Sequence, residues 1–211
     1  MTTLTTQGER DAAAPVAHAH HEHDTNTGVS NTKLAMWLFL ASECLLFGGL
    51  ITTYLLYKTT NEGNNGPIPQ DLFDIPFTSL SSFILLMSSL TMVLAVSAIE
   101  RKDPYRMRIW LLATAFLGSI FIAGQFYEFT AFVREGMGYT NSPASSAFYT
   151  LTGFHGVHVT VGIVILMSMF GMSLRGRLPE HNSETVEIAG LYWHFVDVVW
   201  ILIFAVVYLI P

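Results

Sequence analysis

The sequence predicts an all-α, polytopic membrane protein, a bundle of five transmembrane helices. Three observations predict it. Of 211 residues, 51% are hydrophobic and only 12% charged, about half the charged fraction of a soluble domain. Mean hydropathy is +0.45. Five apolar stretches each exceed the roughly 20 residues that span a bilayer as a helix. In lipid the helix is the default, because it satisfies its backbone groups internally.

Residues 1–31 are polar and contain His18, His20, His21 and His23. They lack the apolar core of a cleavable signal and read as a disordered cytoplasmic tail ahead of a transmembrane domain over 32–211. The histidine tract can take Zn²⁺, Cu²⁺ or Ni²⁺ in vitro, but reads first as solvated chain. Ser30 or Asn31 is the expected cap of the first span.

That span runs from about Leu34 to Tyr57 and carries Glu43, Cys44 and the pair Gly48 and Gly49, which read as packing positions. The stretch from Lys58 to Pro76 holds three prolines and two glycines and reads as an irregular external loop. The second span, Phe77 to Ile99, carries Ser81, Ser82, Ser88 and Ser89, which suit close helix approach and hydrogen bonding across the interface. The third, Ile109 to Val133, carries Gln125 and Glu128. The fourth, Ala147 to Leu174, carries His155 and His158 among Gly153, Gly156 and Gly162, and the glycines again read as packing positions. The fifth, Ile188 to Ile210, carries Trp193, His194 and Asp197.

Lysine and arginine set the expected orientation. Lys33, Arg101, Lys102, Arg106, Arg108, Arg175 and Arg177 fall near helix ends on one side, and Lys58 and Arg134 on the other. The N-terminus is therefore expected in the cytoplasm and the C-terminus outside. Trp37, Trp110 and Tyr139 suit the aromatic belts. The net charge of −6 gives no reason to expect a nucleic-acid partner. One cysteine cannot build an internal disulfide, a four-thiolate zinc site or an iron–sulfur cluster.

Ionisable residues inside the spans are functional-site candidates by default. They are Glu43, Glu128, His155, His158, His194 and Asp197, with Gln125 as an added amide. At about 1.5 Å rise per residue, Glu43, His158 and Asp197 fall near the midplane. Glu128 and His155 fall together in the outer half, and His194 in the inner half. Glu43 with His158, or Glu128 with His155, could then pair across helices. His155 and His158 share one helical face, so they cannot supply both axial ligands of a haem. A carboxylate-bridged di-iron bundle wants two Glu and two Glu-x-x-His motifs, and this set is incomplete. The groups read first as hydrogen-bond ties between helices, with a proton or lipid-headgroup role and a metal site as the alternatives.

Four motifs then make the pattern specific. They are Phe39-Leu40-Ala41-Ser42-Glu43, Gln125-Phe126-Tyr127-Glu128, Phe148 through Val159 with its His155 and His158, and Tyr192-Trp193-His194-Phe195-Val196-Asp197. In this order, and across all but the tail, they closely resemble subunit III of the haem–copper respiratory oxidases, in its short five-helix bacterial form. The resemblance implies a non-redox accessory subunit of a proton-pumping cytochrome c oxidase in the bacterial plasma membrane. Its partners would be subunits I and II, which hold the haem and copper and serve the electron donor. It would bind no metal itself, contact membrane phospholipid, stabilise subunit I and support proton uptake. Glu43 matches the family's carbodiimide-reactive carboxylate, His155 and His158 its helix pair, and Trp193, His194 and Asp197 its last-helix motif. A quinol oxidase or nitric oxide reductase subunit is the near alternative. A stand-alone membrane metalloenzyme or channel is the remote one.

Overall fold

The computed structural model describes residues 30–60, 74–176 and 183–209. The histidine tract and the remainder of the tail lie outside the described residues, as do Arg177 and residues 61–73 of the loop. Five helices follow in chain order: α1 (Asn31–Thr60), α2 (Ile75–Glu100), α3 (Pro104–Arg134), α4 (Pro143–Leu174) and α5 (Ser183–Phe204). A π-helical turn, Ala205–Leu209, continues α5 to the end of the described chain. All five are long and apolar enough to cross a membrane.

Each helix begins before its apolar stretch does. Asp74, Asp103 and Ser142 cap α2, α3 and α4 by accepting from the backbone N–H of Phe77, Arg106 and Ser145. In each case a proline follows within the first two helical positions, where its fixed φ and missing N–H cost nothing. Ser30 caps α1 by accepting from Lys33 N at 3.2 Å. The expected external loop is accordingly shorter than read. Lys58 belongs to the last turn of α1, and Pro76 to the first turn of α2.

The helices do not pack in simple sequence order. α2 lies against α3 and α5, α3 against α4, and α1 against α4 and α5. α4 and α5 also pack together, so each of them meets three other helices. The Trp193 ring of α5 occupies notches left by glycines on two other helices. A Cβ at Gly118 of α3 would stand 2.6 Å from the Trp193 ring, and one at Gly162 of α4 would stand 2.8 Å from it. Gly48, Gly49 and Gly153, expected as packing positions, face open space within this chain.

α1 packs by a different rule. Of its residues 31–58, only Lys33, Met36, Leu40, Glu43, Phe47, Leu50, Ile51, Tyr54 and Lys58 are buried or half-buried. Apart from Ile51, they recur at alternating steps of three and four up to Tyr54, the seam pattern of a coiled coil. Every other described side chain in that range is exposed, as a lipid- or partner-facing surface would be.

Candidate functional site

The intramembrane polar groups sit at separate helix contacts. At the first, Glu43 on α1 meets His158 on α4, with Oε2 and Nε2 3.2 Å apart. The two are within ion-pair reach, although Glu43 Oε2 lacks an aligned hydrogen-bond donor. His158 Nδ1 lies 2.8 Å from the carbonyl of Phe154. A carbonyl only accepts, so Nδ1 carries a proton and Nε2 faces the carboxyl. The pair would carry no net charge when it shares one proton, as neutral imidazole beside carboxylic acid or as imidazolium beside carboxylate. Tyr192 of α5 donates to the His158 carbonyl at 3.0 Å, and Phe47 packs edge-on against the His158 ring.

The second contact joins α2 and α3 to the end of α5. Glu128 Oε1 accepts from Thr78 at 2.7 Å and from the Tyr208 hydroxyl at 3.2 Å. It does not pair with His155. Equal depth left the direction of each side chain open, and Glu128 points toward α2. His155 is fully buried in an aromatic box. It stacks on Trp200 at 4.9 Å, and meets Phe121 and Phe47 edge-on. Neither of its ring nitrogens has a hydrogen-bond partner.

The third contact runs along α2 and α5. Trp193 Nε1 donates to Ser88 at 3.0 Å, Trp200 Nε1 donates to Ser82 at 2.8 Å, and Ser89 donates to Asp197 at 2.6 Å. Trp193, Asp197 and Trp200 lie four and three residues apart, on one helical face. The serines of the second span therefore act as bonding partners as well as small packing residues. His194 is half-buried three residues from Asp197. Gln125 donates to the Thr152 carbonyl of α4 at 2.8 Å, its amide oxygen packed against Gly156.

Sequence reasoning anticipated the bonding serines of α2 but missed Thr78 and Tyr208, which are uncharged, so a search for ionisable groups passes over them. It also missed a clamp at the arginine-rich end, where Lys33 pairs with Glu187 at 2.7 Å and Ser30 donates to Glu184. Charges of opposite sign at the starts of the first and last helices were the available signal. Among the described residues no three of His, Cys, Asp or Glu gather as a metal site would require.

The chain matches the family described as cytochrome c oxidase subunit III over residues 3–210. It is 38% identical over 201 residues to cytochrome c oxidase subunit 3 of Bacillus sp. (strain PS3), covering 95% of this chain and 96% of that one. It is 39% identical over 198 residues to the probable quinol oxidase subunit 3 of Staphylococcus saprophyticus, covering 89% and 96%. The corresponding Staphylococcus aureus protein (strain USA300) is 37% identical over 196 residues, with the same coverage. Five apolar helices and these matches agree: the chain belongs to the cytochrome c oxidase subunit III family, a subunit of haem–copper oxidase complexes.

Proposed function

We propose that this chain is a non-redox accessory subunit of a proton-pumping terminal oxidase that reduces O₂ to water with cytochrome c as donor. In this reading it lies beside subunits I and II in the bacterial plasma membrane, N-terminus in the cytoplasm and C-terminus outside. Those subunits hold the haem and copper, and this chain contributes contact and local electrostatics, with membrane phospholipid as its small-molecule partner.

One observation carries the reading. Glu43, Glu128 and Asp197, the carboxylates inside the spans, each meet a side chain of another helix. Groups used this way tie a bundle together. Glu43 and His158 also offer a function in proton supply. They stand within proton-transfer distance at 3.2 Å, and about 15% of each side chain remains exposed. Arrival of a proton at His158 coupled to departure of one from the carboxyl would leave the charge of the pair unchanged. Glu43, Gln125, Glu128, His155, His158, Trp193, His194 and Asp197 serve structure, proton handling or lipid contact in this scheme, and none is catalytic.

A second reading, subunit III of a quinol oxidase, is favoured by the Staphylococcus relatives, which are probable quinol oxidase subunits. The two readings differ in the donor, which binds another chain in both.

The test removes the subunit from the purified complex with detergent. Absorption spectra are recorded beside repeated turnover assays. Haem and copper bands should stay unchanged at first, while activity decays faster with turnover. Immediate loss of a haem band in proportion to the subunit removed would overturn the reading.

A further inference from the structure

Three described helices end in the same kind of turn. At the ends of α3 and α4 the residue with positive φ is glycine: Gly136 at +90° and Gly176 at +63°. At the end of α2 it is Lys102, at φ 59°. The bonds are those of a Schellman turn, Lys102 N to the Ile99 carbonyl at 2.9 Å and Asp103 N to the Ala98 carbonyl at 3.0 Å. A residue with a Cβ disfavours this conformation, yet here a cation occupies it.

Beside this turn a pocket of about 500 Å³ opens between α2 and α3. Leu94, Ala98 and Ile109 contribute apolar surface, Trp110 stands beside them, and Arg101 and Arg106 bring two guanidinium groups. Asp103 is the carboxylate among the lining residues. One of its oxygens accepts from Arg106 N and the other pairs with Arg106 Nε at 3.2 Å. That arrangement engages the Asp103 charge and leaves the terminal nitrogens of Arg106 to other acceptors. The Arg101 side chain has no hydrogen-bond or ion-pair partner among the described residues. Nearby, Glu100 and Lys102 are exposed, and Arg108 is occupied by Ser173.

We propose that this pocket binds an anionic phospholipid, its phosphodiester between Arg101 and Arg106 and an acyl chain along Leu94, Ala98 and Ile109. Guanidinium groups match phosphate oxygens in geometry and charge. Basic pockets between membrane helices take anionic headgroups. A tryptophan at the level of the headgroups marks the right depth. Free phosphate has the same charge chemistry but leaves the apolar wall uncovered. The pocket is built by α2, α3 and the turn between them.

The experiment uses the purified oxidase complex, delipidated in detergent and titrated with phosphatidylglycerol or phosphatidylcholine of matched chains. Bound lipid per complex is read by native mass spectrometry. One phosphatidylglycerol should bind in preference to phosphatidylcholine, and excess inorganic phosphate should not displace it. Arg101→Gln with Arg106→Gln should weaken that association roughly thirtyfold, about fivefold for each cation facing anionic lipid. Leu94→Trp, which keeps both arginines and fills the apolar wall, should also lose the lipid, whereas Arg101→Lys with Arg106→Lys should largely retain it. Equal retention by the double glutamine variant and the unaltered complex would overturn the proposal. Displacement by phosphate alone would assign the pocket to free anions and overturn the lipid assignment.

Discussion

Half of the apolar stretch of α5 (50%) is buried inside the protein, against 11% of that of α1. Both are apolar helices, so hydropathy alone does not distinguish them. What differs is the kind of contact. α5 places Trp193 and Trp200 where notches and serines receive them. α1 has a narrow seam and polar ties such as Glu43 to His158 in the membrane and Lys33 to Glu187 at its start. Lipid is as apolar as leucine, so burial of oily surface gives helices little reason to associate. The centre is held by shape and the rim by polar pairing. Exposed Trp37, Leu38 and Leu45 leave the outer side of α1 to lipid or to other subunits.

The comparison can be broken first at the centre. Trp193→Ala removes a large ring and its bond to Ser88. Comparable truncations cost about 3–5 kcal/mol, so the subunit should be largely missing from the purified complex, as read by band intensity on a gel. Near-normal recovery would show that the notch around Trp193 collapses without it.

At the rim the expected effect is smaller and depends on charge. Glu43→Lys puts a cation near mid-membrane, at a cost of about 2.5–3.5 kcal/mol on insertion scales, and sets it against His158. Recovery of the subunit should fall clearly. Glu43→Gln keeps much of the bonding capacity of a protonated acid and should assemble nearly as well as the parent. Equal recovery of the lysine variant would mean that position 43 faces water.

Smallest of all should be Lys33→Ala. The pair with Glu187 is about a third exposed on each side, and such pairs contribute about 0.2–1 kcal/mol. Thermal release of the subunit should shift by a few degrees at most, and high salt should erase the difference. A shift that persists in high salt would show that Lys33 acts through packing of its aliphatic stem.

The number of spans and their order were legible in composition and hydropathy, because a bilayer demands long apolar helices. Their true starts were not, since Asp74, Asp103 and Ser142 are polar and a hydropathy reading discards them. The Glu43–His158 contact followed from matching depths. The same argument misled for Glu128, whose partners Thr78 and Tyr208 depend on helix rotation. His155 was legible as a buried polar group, but its box of Phe47, Phe121 and Trp200 draws on three other helices and no local pattern announces it. The α1 seam was present as spacing in the sequence. It was hidden because the residues outside the seam are equally apolar.

The neighbours of α1 also impose an order in time. A ribosome delivers Glu43 more than a hundred positions before His158. At roughly 5–20 residues per second, on the order of ten seconds pass before the acid can meet its histidine. Through that interval α1 waits in the bilayer while α2 and α3 pair with each other. A pause in translation before α4 would lengthen the wait and expose the first helix to membrane proteases or to the wrong partner.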